Sequence, residues 1–223
     1  MTILASKEIQ LVKTPVSRLE EISPGVFLLA FTRFFDFIPG QVIAINNGVE
    51  QSPRLYSISS GPNDCEVKII FNVKEDGYLT PKLSQCTTGD KILVSKPFGN
   101  FTCKEDDAWW IASGTGIAPF ASMLFSGKGK NSILIHGGRT LKSFYFQEEF
   151  ARKMSNRYIR CCTSECGNGV YEGKLSQYLK ELPDLPITKT FYLCGKSEMV
   201  VEVRDILISR GVPFEKIIAE IYF

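Results

Sequence analysis

The hydrophobic pattern of this chain changes near residue 104, and no other feature of the sequence constrains the fold as strongly. Before that point, short segments lie between Pro, Gly, Asn and Asp. The clearest, Glu66 to Lys74, alternates Val67, Ile69, Phe71 and Val73 with mostly polar residues, which predicts a strand with one buried face. Beyond residue 104, fully apolar strands alternate with amphipathic helical stretches, as in a parallel sheet covered on both faces. We therefore expect an antiparallel barrel or sandwich followed by an α/β domain.

The two parts of the chain can be divided into candidate strands and domains. The candidate strands of the first part are Lys7 to Lys13, Val26 to Thr32, Gln41 to Asn46, Arg54 to Ser57, Glu66 to Lys74 and Asp90 to Ser95. The last of these would close a barrel. The acidic run 105–107 marks the boundary, and the strand Ala108 to Ala112 opens the second part. The predicted domains are residues 1–103 and 104–223.

A late helix of the second domain is predicted from about Ser197. Its apolar residues fall on one stripe at helical spacing, namely Met199, Val200, Val203, Ile206 and Leu207. Gly211 and Pro213 follow as an exit signal.

Composition limits the classes of function. The formal charge is only +2 over 223 residues and no basic run occurs, which argues against a nucleic-acid surface. Residues 1–10 contain no long apolar stretch, so we expect neither a signal peptide nor a membrane span there. We expect a cytoplasmic protein.

The cysteines and the single histidine indicate no metal centre. Seven cysteines, an odd number, do not resemble a secreted disulfide framework, so reduced thiols are expected. The only cluster is Cys161, Cys162 and Cys166. Cys161 and Cys166 have Cys-x4-Cys spacing, but Gly169 stands where a plant-type iron–sulfur run needs its next cysteine. His136 ends an apolar run, and a satisfied position at a strand end is the favoured interpretation.

A strand, a glycine turn and a helix open the second domain. The strand Ala108 to Ala112 runs into the segment Ser113-Gly114-Thr115-Gly116-Ile117-Ala118-Pro119-Phe120. Glycines let the backbone approach a pyrophosphate, and a helix N-terminus supplies free amides. Because Pro119 stands where the dinucleotide fingerprint usually has its third glycine, a plain turn at a sheet edge is an equal alternative for this motif alone.

The first domain carries a second group of candidate residues. The segment Arg54-Leu55-Tyr56-Ser57 places a cation suited to phosphate, an aromatic ring and a hydroxyl in one strand, and alternation aims Arg54 and Tyr56 to the same side. The segment Asp76 to Leu83 predicts a turn and a short helix whose amides could meet the same phosphate. The alternatives are an ordinary strand with an exposed arginine and a capped surface helix.

Taken in order, these segments resemble the ferredoxin–NADP reductase superfamily, especially the bacterial ferredoxin and flavodoxin reductases. The resemblance extends over nearly the whole chain. It is carried by Phe37-Ile38-Pro39-Gly40-Gln41, Arg54-Leu55-Tyr56-Ser57, Gly77 to Leu83, Gly89-Asp90, Pro97-Phe98-Gly99-Asn100-Phe101, Gly114 to Pro119, and Leu193-Cys194-Gly195 with Met199-Val200. It implies an antiparallel FAD-binding β-barrel followed by a parallel-sheet NAD(P)-binding domain.

The resemblance also implies a flavin site. Its residues would be Arg54, Leu55, Tyr56, Ser57, Gly77, Tyr78, Leu79 and Thr80. Arg54 would neutralise the FAD pyrophosphate with help from the amides of Leu79 and Thr80. Tyr56 would pack against the isoalloxazine, and Ser57 would form a hydrogen bond near flavin N5, the atom that receives the hydride.

On the nucleotide side, the implied residues are Gly114, Thr115, Gly116, Arg139, Lys174, Cys194 and Gly195. Thr115 and Cys194 would border the nicotinamide. In the C-terminal segment, Tyr222 would cover the other flavin face and move aside as a gate, Phe223 would contact the adenine, and Glu220 could relay a proton. The alternative is an edge strand whose aromatic residues merely fill a crevice.

Coenzyme choice depends on a basic site for the adenosine 2′-phosphate. Arg139 resembles the arginine that meets this phosphate, and Lys174 falls where another basic contact is common. Ser164 stands in place of a second arginine, which removes a charge that would pair with the phosphate. NADP(H) is therefore expected, with NAD(H) as the alternative.

The implied function is hydride transfer between NADP(H) and FAD, with single electrons passed to or from ferredoxin or flavodoxin. One alternative is a reductase component that serves an oxygenase or a haem protein. The other is a non-catalytic nucleotide-binding module, because a fold does not dictate a function. Joint retention of Arg54, Tyr56, Ser57 and the aromatic tail argues against that last alternative.

Overall fold

The computed structural model describes residues 9–48 and 51–222, and within these ranges it contains two six-stranded sheets. The first sheet comprises β1 (Leu11–Ser23), β2 (Val26–Thr32), β3 (Val42–Asn46), β4 (Arg54–Ser57), β5 (Glu66–Asn72) and β6 (Lys91–Ser95), with the short helix α1 (Thr80–Leu83) between β5 and β6. The second comprises β7 (Trp109–Ser113), β8 (Ile133–Gly138), β9 (Tyr158–Cys162), β10 (Val170–Glu172), β11 (Phe191–Lys196) and β12 (Ile217–Tyr222). Its helices are α2 (Ala118–Phe125), α3 (Gln147–Met154), α4 (Leu175–Glu181) and α5 (Ser197–Ser209).

The first sheet is antiparallel and curls into a barrel. Its strand order is β4-β3-β6-β1-β2-β5, and the Ser59 amide donates to the Lys68 carbonyl at 2.8 Å, which joins the segment after β4 to β5. Inward side chains such as Leu29, Ile43 and Ile69 are fully buried in one apolar cluster. The predicted barrel fold is confirmed.

Strand β1 is longer than predicted. The sequence predicts a strand from Lys7 to Lys13, of which residues 7 and 8 lie outside the described part, whereas β1 continues to Ser23. Residues 11–15 pair with β6, and from Val16 onward the strand pairs with β2. Backbone pairing with two neighbours, rather than an apolar pattern, maintains this mostly polar strand.

Strand β5 buries more than one face. Val67, Ile69 and Phe71 face the barrel core as predicted, but Ile70 is also buried, because it packs into a cluster shared with the second domain. The strand ends at Asn72, so the prediction that it extends to Lys74 was too long.

The second sheet is parallel, in the order β10-β9-β8-β7-β11-β12. Helices α2 and α3 pack on one face through Phe120 and Phe150, and α4 and α5 pack on the other through Leu179 and Val203. The predicted helix from Ser197 is α5. The strand order reverses between β7 and β11, and ligands of open α/β sheets bind at the carboxyl ends of strands at such a switch point.

An apolar cluster joins the two sheets. Leu28 and Ile70 of the barrel belong to the same buried cluster as Phe120 of α2, and Phe101 meets Phe120 and Tyr192 edge-on at ring-centroid distances of 5.7 and 5.6 Å. The connection from β6 to β7 spans 96–108, and we propose that the domains divide there, between residues 103 and 104. None of the helices in the described ranges has the length and apolar character that a membrane span requires.

Candidate functional site

Four residues predicted from distant parts of the sequence meet where the barrel faces the parallel sheet. Ser57 ends β4, Cys194 lies on β11, and Glu220 and Tyr222 lie on β12. The Ser57 hydroxyl donates to the Glu220 carboxylate and accepts a hydrogen bond of 2.7 Å from the Tyr222 hydroxyl. The Cys194 thiol is 4.0 Å from Glu220 Oε1. We call these four residues the junction cluster.

Burial sets the protonation of the junction cluster. It raises the pKa of the Glu220 carboxyl, against a lowering by the Ser57 hydrogen bond. It also raises the pKa of the Cys194 thiol well above its ordinary value, and the Glu220 charge adds to that rise. The pKa of the Tyr222 hydroxyl rises for the same reasons, burial first. The thiol and the phenol therefore stay protonated near neutral pH, and Glu220 is the group best placed to exchange a proton.

The glycine turn packs directly on the end of β11. A Cβ at Gly116 would lie 2.2 Å from the Cys194 carbonyl oxygen, and a Cβ at Gly195, where φ is +149°, would lie 2.3 Å from Ser113 Oγ. Gly114 has φ +54° and faces open space. The half-buried Thr115 lies between these glycines in the short 3-10 turn that precedes α2. The glycine turn therefore leaves free space beside Gly114 and positions its backbone groups at the switch point, next to the junction cluster.

Strand β4 presents a free cation and an aromatic ring. The exposed Arg54 guanidinium lies 5.3 Å from the centre of the Tyr78 ring and forms no ion pair with any described residue. Tyr56 is half-buried and meets Phe71 edge-on at 6.2 Å. Burial raises the pKa of the Tyr56 hydroxyl, and the Arg54 charge lowers it slightly. Leu55 between them is exposed.

The segment that starts at Gly77 lies against β4. The Tyr78 hydroxyl donates to the Ser52 carbonyl, and the Lys74 amide donates to Thr80 Oγ1 at 2.9 Å. The Leu79 side chain is buried in the barrel core. The amides of Leu79 and Thr80 have no acceptor within the described ranges, so they remain available to a ligand.

The loops after β8 and β9 form the predicted coenzyme-choice region. Arg139 is exposed, and its carbonyl accepts a hydrogen bond of 3.0 Å from the Ser164 amide. Glu165 lies close by, because its carboxylate accepts a hydrogen bond of 2.7 Å from the Leu141 amide. Lys174 is the exposed residue before α4, and the structure records no contact between it and Arg139 in the described part of the chain.

The C-terminal segment is an edge strand of the parallel sheet. Strand β12 pairs with β11 along its whole length, with Tyr222 opposite Lys196. The backbone thus follows the edge-strand alternative, while the gate remains a prediction. Phe223 lies outside the described residues.

Sequence reasoning missed three residues near these sites. The Glu165 carboxylate accepts a hydrogen bond from the Leu141 amide and so joins the loop after β9 to the loop that contains Arg139. Ser113 Oγ and His136 Nε2 are buried with no hydrogen-bond partner among the described residues. The expectation that His136 is satisfied therefore holds only for Nδ1, which lies 3.1 Å from the Tyr158 hydroxyl, and is wrong for Nε2. The available signal was position, since Ser113 and His136 stand near the carboxyl ends of the adjacent strands β7 and β8.

Comparisons with known proteins agree with this architecture. Residues 110–205 match the family model described as the oxidoreductase NAD-binding domain. The chain is 27% identical over 220 residues to the reductase component of propane 2-monooxygenase from Mycolicibacterium goodii, covering 90% of this chain and 61% of that protein. It is 28% identical over 173 residues to the flavodoxin/ferredoxin–NADP reductase of Escherichia coli, covering 68% of this chain and 70% of that one.

A solved structure extends the comparison to both domains. The ferredoxin NADP+ reductase of Neisseria gonorrhoeae with bound FAD and NADP superposes with a TM-score of 0.86 at 20% identity, over 97% of this chain and 100% of that chain. Among curated relatives, the chain spans 61% of the monooxygenase reductase component and 56% of the toluate 1,2-dioxygenase electron transfer component of Pseudomonas putida.

The chain therefore has a two-domain architecture in which an antiparallel barrel precedes a parallel sheet, and most of that second domain matches the oxidoreductase NAD-binding domain. These likenesses support the resemblance to the ferredoxin–NADP reductase superfamily that the ordered motifs predicted.

Proposed function

We propose that this chain is an FAD-dependent oxidoreductase that exchanges hydride with NADP(H), or alternatively NAD(H), and passes single electrons to or from ferredoxin or flavodoxin. The proposal is carried by the junction cluster, in which a barrel hydroxyl, the half-buried carboxylate of Glu220 and the Tyr222 hydroxyl meet beside the glycine turn. FAD, when bound, can accept two electrons as a hydride and release them one at a time.

The barrel residues suit FAD in charge and shape. Arg54 carries an exposed, unneutralised guanidinium suited to a pyrophosphate. Its guanidinium lies over the Tyr78 ring, and the free amides of Leu79 and Thr80, which follow Tyr78 in the chain, add hydrogen-bond donors. Tyr56 offers an aromatic ring suited to stacking on the flavin. The proposed flavin-binding residues are these four with Leu55, Ser57, Gly77 and Tyr78.

The parallel sheet suits a pyridine nucleotide. Open space at Gly114 leaves room at the carboxyl end of β7, and the missing side chains at Gly116 and Gly195 let the glycine turn pack closely against the end of β11. Thr115 and Cys194 border that room, and Arg139 and Lys174 are the proposed contacts for the adenosine end.

Within the junction cluster, each residue has a separate task. The Ser57 hydroxyl donates a hydrogen bond to the Glu220 carboxylate and accepts one from the Tyr222 hydroxyl. A proton can therefore move between the Ser57 oxygen and the Glu220 carboxylate. The raised pKa of Glu220 lets this carboxyl hold a proton at higher pH than an exposed one. The Cys194 thiol stays protonated and positions the end of β11. Tyr222 is the proposed flavin cover, and its release requires loss of the Ser57 hydrogen bond.

A second candidate function is a reductase component that serves an oxygenase. It is favoured by the alignment with the propane 2-monooxygenase reductase component, which covers 90% of this chain. The chemistry at the junction cluster would be the same, and only the electron acceptor would differ.

The partner is tested by reoxidation. The FAD-loaded protein is reduced anaerobically with one equivalent of NADPH and mixed with ferredoxin, flavodoxin or cytochrome c. We expect rapid reoxidation by ferredoxin or flavodoxin. Rapid reoxidation by the haem protein alone would favour the second candidate. Failure to bind FAD would overturn both candidates in favour of the non-catalytic module.

A further inference from the structure

The connection between the two sheets carries a carboxylate that the proposed chemistry does not use. Glu105 lies in this connection, and both of its carboxylate oxygens accept hydrogen bonds from the beginning of β11. The Tyr192 hydroxyl donates to Oε2 at 2.8 Å, and the Thr190 hydroxyl donates to Oε1 at 3.3 Å. Both donor residues are buried. The half-buried Glu105 side chain is therefore tied to the amino end of a central strand of the parallel sheet.

Tyr192 contacts the connection through its ring as well as its hydroxyl. The ring meets the Phe101 ring edge-on at 5.6 Å, and the hydroxyl oxygen lies 3.5 Å from the Thr102 carbonyl oxygen. Burial raises the pKa of the Tyr192 hydroxyl and the hydrogen bond to Glu105 raises it further, so the phenol stays protonated near neutral pH. Because a phenol has one hydrogen, the shorter bond to the charged carboxylate is the stronger one. Glu105 is thus the main anchor of this hydroxyl.

The segment that Tyr192 contacts is itself fixed to the barrel. A Cβ at Gly40 would lie 1.9 Å from the Phe101 carbonyl oxygen, so the turn before β3 packs directly on this backbone. Two residues further on, the Cys103 thiol donates to the Glu105 carbonyl at 3.1 Å. The position of Glu105 therefore follows the position of the barrel.

Strand β11 extends the same contact to the junction cluster. Tyr192 and Cys194 are two residues apart and point to the same face of the sheet, and both are buried in the apolar cluster that joins the two sheets. Cys194 belongs to the junction cluster, and its carbonyl oxygen would lie 2.2 Å from a Cβ at Gly116. A displacement of β11 at Tyr192 would therefore also move the end of the strand against which the glycine turn packs.

We propose that Glu105 is a positioning residue for hydride transfer, which holds Tyr192 and so fixes the end of β11 at the distance from the barrel that flavin and nicotinamide require. The inference rests on the proposed function, because it assumes that the two rings meet at the junction cluster. Glu105 lies at the amino end of β11 and the junction cluster at its carboxyl end, so Glu105 acts on geometry rather than on proton transfer. A misplacement of about 1 Å can lower a rate by about 100-fold.

The test removes the hydrogen bond from either side. Tyr192→Phe loses only the hydroxyl and keeps the ring against Phe101, and Glu105→Ala loses the acceptor. We expect each to lower the rate constant of flavin reduction at saturating NADPH by about tenfold in the FAD-loaded protein, with Kd values for FAD and NADP+ within about twofold. Glu105→Gln keeps an acceptor and should remain within about threefold of the unsubstituted rate. The double variant should be about as slow as either single variant, because one shared interaction is lost.

The matched control is a bond of the same kind at the far edge of the sheet. The Tyr171 hydroxyl donates to the Glu181 carboxylate at 2.6 Å, and three strands separate β10, which carries Tyr171, from β11. Tyr171→Phe should therefore leave the reduction rate unchanged.

Three results would overturn the inference while the proposed function stands. The first is an unchanged reduction rate in Tyr192→Phe. The second is a double variant about 100-fold slower than the unsubstituted protein, as two independent effects would produce. The third is a loss of FAD or NADP+ affinity in proportion to the rate, which would indicate general loosening. If neither NADPH nor NADH reduces the FAD-loaded unsubstituted protein, the proposed function fails, and the inference fails with it.

Discussion

The buried imidazole of His136 links the fold to acid stability. Its pKa is lowered by burial from 6.5 to about 3, so below pH 6.5 the unfolded chain binds a proton that the folded chain excludes. Stability from this residue is present above pH 6.5 and is lost as the pH falls toward 3. No other histidine contributes, because the chain has one.

We therefore predict that His136→Gln, which has no titrating group, is less sensitive to acid than the unsubstituted protein. When the pH is lowered from 7.5 to 5, the unfolding free energy of the unsubstituted protein should fall by about 2 kcal/mol more than that of His136→Gln. Urea unfolding at the two pH values measures this change. Parallel pH dependences would show that the folded protein protonates the ring readily.

Substitution of two arginines should affect the two proposed cofactor sites independently. We predict that Arg54→Ala weakens FAD binding by about 10- to 100-fold, the effect of losing a charged hydrogen-bonding partner, and leaves NADP+ binding to the remaining holoprotein unchanged. Arg139→Ala should do the reverse, with weaker NADP+ binding and normal FAD binding. Titration calorimetry with each cofactor measures both. Loss of FAD affinity in Arg139→Ala, or its retention in Arg54→Ala, would contradict the assignment.

At the residue scale, the sequence predicted side chains better than it predicted their partners. The ordered motifs predicted Ser57, Cys194 and Glu220 as site residues, and the folded chain brings the three into one cluster. The carboxylate of Glu165 was missed because its bond to Leu141 joins two loops that only the folded sheet brings together.

Glycines at the ends of β7 and β11 determine how closely the turn approaches the sheet. We predict that Gly116→Ala lowers the rate of NADPH-dependent flavin reduction by about 100-fold, since a Cβ 2.2 Å from the Cys194 carbonyl must displace the backbone around the nicotinamide site. FAD binding should persist. Stopped-flow reduction of the FAD-loaded variant measures the rate.

The matched control is Gly25→Ala in the turn between β1 and β2. Gly25 has φ +71° and open space around it, so the substitution should lower stability by about 1–2 kcal/mol without affecting reduction. An unchanged rate in Gly116→Ala would show that the turn does not need its close approach to β11.

Element boundaries were predictable where side chains alone define them. Strands β2 and β4 begin and end at the predicted residues, and in β2 an apolar run after the turn at Pro24 and Gly25 defines the strand. Strand β1 was predicted poorly, since its polar second half is a strand only through pairing with β2. Ile70 is buried, although the alternation of β5 predicts an exposed residue at this position. An apolar residue there was the one sign in the sequence that β5 contacts the second domain.

The whole molecule depends on the apolar cluster between the sheets. Ile69 and Ile70 are adjacent on β5 but face the barrel core and the shared cluster respectively. We predict that Ile69→Ala and Ile70→Ala each lower stability by about 2–5 kcal/mol, and that only Ile70→Ala also slows flavin reduction, because it loosens the junction. Thermal unfolding and stopped-flow reduction compare the two. Equal reduction rates would mean that the shared cluster does not set the spacing of the sites.

The central claim is that the two halves of the chain hold a flavin and a nicotinamide against each other at the junction cluster. Anaerobic stopped-flow mixing of the FAD-loaded protein with NADPH, and with NADPH deuterated at C4 of the nicotinamide, tests it most directly. We predict rapid bleaching of the flavin absorbance and slower bleaching with the deuterated coenzyme, as direct hydride transfer requires. If the protein binds FAD but neither NADPH nor NADH bleaches the flavin absorbance, the two halves of the chain do not hold a flavin and a nicotinamide against each other.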